Sequence, residues 1–307
     1  MDQQPGEVKP EGADGATVEA AKVDRSRREF VALSAAVGVA AAARSMPAAA
    51  AGVVEQDVEI KTPDGNCDAA LFHPAHGSHP GVLIWTDIFG LRPVFRDFGR
   101  RLAAAGYTVL VPNVYYRAAR APLFNDVGSF DFHSAADRAR LQPLTAPLNA
   151  AGAIETDATA HLKYLDAQAP ADRTKRIGTQ GYCMGGPLAL RTAAIAGDRV
   201  GAAASFHGGG LVTDKPDSPH LLASKIKAQT YIAIAASDDA RQPVAKDKLR
   251  EAFAAANVPA QIEVYAGTQH GWCVPDMPRS GNQPVYSEPD AERAWQKLTA
   301  LYRTALA

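Results

Sequence analysis

The residue in this chain best placed to do chemistry is a cysteine set among glycines. It stands in Gly181-Tyr182-Cys183-Met184-Gly185-Gly186, between the apolar run Arg176 to Thr179 and the apolar stretch Leu188 to Ala196. The G-x-C-x-G spacing is that of a nucleophile elbow, a sharp strand-to-helix turn, with Cys in the place of Ser. Glycine is needed there because a neighbouring Cβ would collide with the adjoining strand or helix. Such a turn lifts the sulfur above a sheet at a helix N-terminus, whose dipole favours negative charge. A small buried Cys in a glycine-rich turn would read the same way, so the elbow must be weighed with its partners.

Two further strand ends supply them. His270, in Gly267-Thr268-Gln269-His270-Gly271-Trp272, follows the apolar run Gln261 to Tyr265 and is the candidate general base. A carboxylate that accepts the second imidazole N–H would fix its tautomer and stabilise the imidazolium. Ile234-Ala235-Ala236-Ser237-Asp238-Asp239, running on to Pro243, offers two. Asp238 lies nearer the strand, whereas Asp239 lies further along a loop that must carry the acid out to the histidine. Asp239 is preferred and Asp238 is kept as its alternative. The remaining histidines (73, 76, 79, 133, 161, 207 and 220) have no comparable context. His73, His76 and His79 recur at a metal-like spacing, but Pro74 and Pro80 break any helix there, and no metal site is assigned.

These groups need a scaffold, and the chain alternates strands and helices. Val53 to Lys61 and Ala69 to Phe72 flank the turn signal Pro63-Asp64-Gly65 and predict a hairpin. Gly81 to Trp85 and Tyr107 to Val111 are continuous apolar runs, as in strands buried on both faces. Phe95, Phe98 and Leu102 share one face of a helix over Val94 to Ala105. Residues 117–148 carry several prolines and weak periodicity, so they read as an insertion or lid rather than core. A helix around Ile154 to Gln168 precedes the elbow strand. Strands at Ala202 to Phe206, Thr230 to Ala235 and Gln261 to Tyr265 follow, with helices near Val244 to Ala255 and Ala291 to Ala305. Repeated βαβ units require right-handed crossovers and a mostly parallel sheet covered by helices on both faces, an α/β fold. Its chemistry belongs at the carboxyl ends of the strands.

The first fifty residues obey different rules. Met1 to Val23 is polar and rich in Gly and Pro; then come Arg27-Arg28-Glu29-Phe30, the Ala/Val-rich run Val31 to Ala43 and the small residues Ala48 to Ala51. A basic region, a short apolar segment and a small-residue exit describe an export signal, and the paired arginines resemble the bacterial twin-arginine type. Residues 1–50 are therefore expected to engage the twin-arginine translocase, with residues 51–307 delivered to the periplasm or outside the cell. The apolar run is shorter than the 18 or so residues of a spanning helix, so no stable membrane anchor is expected. Over the 307 residues, Lys+Arg 32 against Asp+Glu 33 leaves a formal net charge of -1, with no basic field to gather nucleic acid. Three cysteines, not in paired C-x-x-C spacing, make neither a closed disulfide framework nor a zinc ribbon.

Thr86-Asp87-Ile88-Phe89-Gly90-Leu91, Pro112 to Arg117, Gly181 to Gly186 and Gly267 to Trp272 together resemble the dienelactone hydrolase family of α/β-hydrolases. The likeness runs from about Val53 to the C-terminus. It implies a hydrolase of small esters or lactones, acting without cofactor through Cys183 as nucleophile, His270 as base and a thioester intermediate. The family acid stands four residues before a proline, which Asp239 and Pro243 reproduce. The oxyanion donors would be the backbone N–H groups of Ile88 and Met184. Asp87 occupies the place of a family glutamate that pairs with the resting thiol. Arg117, beside Tyr116, resembles an arginine that holds a substrate carboxylate, with a salt-bridged lid residue as the alternative. The second arginine, expected after the histidine, is absent, because Gly271-Trp272-Cys273-Val274 stands there. A bulkier or neutral ester is then the better fit, with Trp272 as an apolar pocket wall.

Two other classes compete. A non-catalytic exported binding protein could use the same fold. A thiol-redox protein could use Cys183 with Cys67 or Cys273 as the resolving thiol.

Overall fold

Apolar runs and amphipathic stretches build one eight-stranded sheet. The computed structural model describes residues 52–124, 126–279 and 283–307. The export-signal reading of residues 1–50 lies outside them. Strands β1 (Val53–Thr62) and β2 (Gly65–Pro74) form the expected hairpin, closed at Thr62 opposite Gly65. Gly65 takes φ 132°, which L side chains rarely adopt. β2 meets β4 (Thr108–Pro112) antiparallel. From β4 onward, β3 (Gly81–Trp85), β5 (Ile177–Tyr182), β6 (Val200–Phe206), β7 (Gln229–Ala235) and β8 (Ala260–Tyr265) pair in parallel, which gives the order β1-β2-β4-β3-β5-β6-β7-β8.

Side chains that alternate along each strand feed two cores. Val82 and Ile84 pack with Phe95 and Leu102 of α1 (Pro93–Ala104) and with Leu298 and Tyr302 of α7 (Glu288–Ala305). Leu83 and Trp85 face the opposite core. There they join Leu162 of α3 (Ala153–Asp166), Leu190 of α4 (Gly185–Ala196) and Phe253 of α6 (Ala245–Ala255). Both faces of the central strands are thus covered, as the unbroken apolar runs require. This is the α/β-hydrolase architecture.

Three local features depart from the sequence reading. β5 continues to Tyr182 instead of ending at Thr179, because Gly178 and Gly181 are there for close packing and do not break the strand. A Cβ on Gly178 would lie 2.9 Å from the Tyr302 ring. Residues 117–148, read as an insertion or lid rather than core, bury apolar side chains of their own: α2 (Ala135–Leu148) fills their second half, with Ser134 capping it by accepting from the Asp137 N–H at 3.2 Å. Phe124, Val127, Phe130 and Leu141 are buried with Phe89 in a third core. That core is held by aromatic contacts, which leave no helical period in the sequence. Finally, no loop follows β7, because α5 (Ala236–Arg241) begins at the next residue.

Candidate active site

Cys183 sits where β5 turns into α4, with φ 52°. A non-glycine residue in this region costs on the order of 1 kcal/mol or more and persists only where its surroundings impose it. They do so here through glycine. A Cβ on Gly181 would fall 1.9 Å from the Gly185 carbonyl oxygen, and one on Gly185 would fall 2.4 Å from the Trp85 carbonyl oxygen. The sulfur is partly exposed at the start of α4.

His270 stands on the turn after β8. The Thr268 hydroxyl donates to the Tyr265 carbonyl at 2.7 Å, and the His270 amide donates to the Ser237 hydroxyl at 2.9 Å, so the turn is tied both to its strand and to α5. The imidazole bridges two groups: Nε2 lies 3.0 Å from Cys183 Sγ, and Nδ1 lies 2.8 Å from Asp238 Oδ2 and 3.0 Å from Oδ1.

The acid beside His270 is therefore Asp238, and the preference for Asp239 is corrected. Successive helical residues point about 100° apart. With α5 starting at Ala236, Asp238 is turned toward the histidine, whereas Asp239 accepts from Lys246 Nζ at 2.8 Å. The spacing to Pro243 pointed to the wrong aspartate of the pair. Asp238 also pairs with the largely exposed Arg241.

Burial opposes a charge on His270, but the Cys183 thiolate and the hydrogen bond to Asp238 outweigh it and push its pKa up to about 10. In an unfolded chain the ring would titrate near 6.5. A raised folded-state pKa adds stability that is fully present below the unfolded value and is lost as pH rises through the folded one. Hence the melting-temperature advantage of the native protein over Asp238→Asn should be largest near pH 6 and shrink from about pH 6.5 to 10. Differential scanning fluorimetry across that range checks it; an advantage that grew with pH would contradict the assignment.

Ile88 follows β3 in a turn in which the Phe89 amide donates to Asp87 Oδ1 at 2.9 Å and the Gly90 amide to the Asp87 carbonyl at 3.0 Å. Tyr115 pins the turn by donating its hydroxyl to the Ile88 carbonyl at 2.8 Å. The Ile88 amide is left without an acceptor among the described residues, as is that of Met184 at the N-terminus of α4.

Asp87 does not pair with the thiol. It is fully buried and takes a two-pronged contact from Arg92, at 2.6 and 2.9 Å, while Arg92 also donates to Asp276 at 2.8 Å. The carboxylate thus fixes the Ile88 turn from behind. Arg117 is not a free anion receptor either. It donates to both oxygens of the buried Asp157 at 2.8 Å and to Asp64 at 2.6 and 3.1 Å. Tyr116 joins the same network, its hydroxyl 2.8 Å from Asp157 and 2.8 Å from Thr62. Both residues fasten the β1–β2 turn to α3. Trp272 is no pocket wall: it is buried and stacked on Tyr265, with centroids 4.3 Å apart. Next to Ile88, Phe89 is buried with Phe124 and Phe130, their centroids 5.3 and 5.0 Å from its own, and the half-exposed Phe132, at 5.8 Å, is the member of this group that reaches the surface.

Sequence reasoning passed over His207, which is buried immediately after β6 with its ring centroid 5.0 Å from that of His270. It also passed over Ser237. Neither lies in a motif. Cys67 and Cys273 are buried, and burial raises both thiols, which disfavours either as a resolving thiolate. No group of His, Cys, Asp and Glu suited to a metal occurs among the described residues. No helix among them is long and apolar enough to cross a membrane.

An electron-rich sulfur, an imidazole in contact with it, an orienting carboxylate and two free amides can together perform acyl transfer. Comparison with known proteins points the same way. The sequence profile of the dienelactone hydrolase family matches residues 67–306. A Methylorubrum extorquens protein provisionally named carboxymethylenebutenolidase is 26% identical over 295 residues, spanning 92% of this chain and 94% of its own length. The carboxymethylenebutenolidase of Rhodococcus opacus is 28% identical over 235 residues, 75% of this chain and 83% of the relative. Among solved structures, a provisionally named dienelactone hydrolase from Klebsiella pneumoniae superposes with a TM-score of 0.67 at 23% identity, covering 82% of this chain and 98% of the other, a likeness of fold.

Proposed function

We propose, for a chain that belongs to the dienelactone hydrolase family and is therefore a carboxylic ester or lactone hydrolase, that Cys183, His270 and Asp238 form its catalytic triad. The observation that carries this reading is the unbroken contact from Asp238 through His270 to Cys183, at 2.8 and 3.0 Å.

In this mechanism the Cys183 thiolate attacks the carbonyl carbon, and the Ile88 and Met184 amides hold the resulting oxyanion. Collapse of the tetrahedral intermediate breaks the C–O bond, and His270 gives its Nε2 proton to the departing alkoxide. The acyl group is left as a thioester on Cys183. His270, now neutral, takes a proton from water, which attacks the thioester; the acid leaves, and the sulfur departs as thiolate beside the reprotonated imidazole. Asp238 stays ionised throughout and stabilises the imidazolium. One water is consumed, with no change of oxidation state.

The substrate is proposed to be a small neutral ester or lactone with an apolar or aryl acyl group. Arg117 is already committed to two carboxylates, and the half-exposed Phe132, packed on Phe89 next to Ile88, offers an apolar contact. Turnover of aryl esters and lactones by the purified residues 51–307, without added reductant and beside a Cys183→Ala control, tests both hydrolysis and preference. Turnover that survives in the control would refute the triad, and a requirement for reductant would favour the redox reading.

Export remains part of the proposal. Arg27-Arg28 ahead of an alanine-rich run supports delivery by the twin-arginine translocase to the periplasm or beyond. Replacing both arginines with Lys keeps the charge and should leave the precursor in the cytoplasm, as cell fractionation would read; unchanged export by that route would overturn it.

A further inference from the structure

We infer that His207 is a positioning residue that holds the Cys183 elbow through an obligatory Nε2–H tautomer, resting on the assignment of Cys183 as nucleophile and His270 as base. The Cys183 amide donates to the Phe206 carbonyl at 3.0 Å and to His207 Nδ1 at 3.1 Å. The Cys183 carbonyl accepts in turn from the Gly209 amide at 3.3 Å. Both sides of the strained Cys183 residue are thereby pinned to the segment just after β6. That segment carries strain of its own, because His207 adopts φ 38°. Its own amide donates to the Ala233 carbonyl of β7 at 2.8 Å, so the clamp is anchored in the sheet.

A main-chain N–H facing Nδ1 requires a lone pair there, which places the ring proton on Nε2. Nε2 is buried and has no partner among the described residues. If His207 only filled space, an apolar ring would do so without leaving a buried N–H unsatisfied. Acceptance at Nδ1 is what an apolar ring cannot supply. The same imidazole packs against His270 with centroids 5.0 Å apart and planes at 69°, so one side chain touches the nucleophile's peptide and the base's ring. Burial and then the nearby His270 charge keep His207 neutral, and it adds no repulsion when His270 is protonated.

Long-range ¹H–¹⁵N correlation of the histidine rings in the intact protein tests the tautomer directly. The expected pattern is a protonated Nε2 and an unprotonated, hydrogen-bonded Nδ1 at His207; a protonated Nδ1 would overturn the proposal. His207→Phe keeps an aromatic ring beside His270 but removes the acceptor. It should slow iodoacetamide alkylation of Cys183 and lower kcat by about tenfold, the value of one hydrogen bond, with KM little changed. His207→Asn restores an acceptor in a residue that tolerates positive φ, and should recover most of the alkylation rate. Alkylation in the Phe variant at the native rate would reduce His207 to packing. The tautomer and alkylation readouts do not depend on ester turnover, so a native protein that hydrolysed no ester would count against the hydrolytic reading alone.

Discussion

Cys183→Ala and His270→Ala are each expected to lower kcat for an aryl ester on the order of 10⁴-fold or more, and the double variant to lose little beyond either single one. Nucleophile and base act as one unit, so the first loss removes nearly all that the second could. Asp238→Asn should cost about 10²- to 10⁴-fold. The amide can still touch Nδ1, at 2.8 Å in the native protein, but can present N–H where a carboxylate accepts and no longer balances the imidazolium. Asp239→Asn should stay within about twofold, because its carboxylate faces Lys246. Steady-state kinetics on the five variants, with circular dichroism to confirm folding, separates the two aspartates. An Asp239 variant more damaged than the Asp238 one would restore the sequence-based preference and contradict the contact at His270.

The reason that preference failed shows what a sequence can carry. The elbow was legible because its requirement is local: glycines must flank a turn in which a Cβ would sit 1.9 Å from a carbonyl oxygen. His270 was legible for a related reason, since its turn follows a strand and is bounded by glycines with φ 75° and 96°. The choice between Asp238 and Asp239 depended on whether helix or loop follows β7, and Ala-Ser-Asp-Asp-Ala-Arg supports either. Starting a helix at Ala236 sends adjacent carboxylates to different neighbours. The role of Arg117 depended on partners 40 and 53 residues away, and no local pattern announces them. His207 has no motif at all; it matters because β6 lies beside β5 in the sheet and brings it under the elbow. The aromatic cover was missed because Phe124 and Phe130 pack edge to face on Phe89, and Phe132 edge to face on Phe130, rather than recurring along one helix face.

Arg117→Ala is expected to act on the fold and not on substrate charge. The guanidinium spends its donors on Asp157 and Asp64 and lies over the Tyr116 ring, 4.6 Å from its centroid. Asp64 is exposed, and that contact contributes at most about 1 kcal/mol. Asp157 is fully buried, so removing its partner leaves a carboxylate with only the Tyr116 hydroxyl among the described residues, and breaking such a pair costs about 3–5 kcal/mol. For a domain of this size each kcal/mol moves Tm by roughly 2–4 °C, so a fall of about 6–20 °C is expected. Arg117→Lys should recover only part of it, because one ammonium cannot meet both oxygens of Asp157 as the planar fork does. At a temperature where the variant remains folded, kcat/KM for carboxylate-bearing lactones and for neutral aryl esters should fall by the same small factor. A substrate-binding guanidinium would behave differently, losing roughly ten- to hundredfold on the charged substrates alone. That selective loss, with Tm unchanged, would show that Arg117 leaves Asp157 to meet a substrate, and the proposed preference for neutral esters would then have to be reversed.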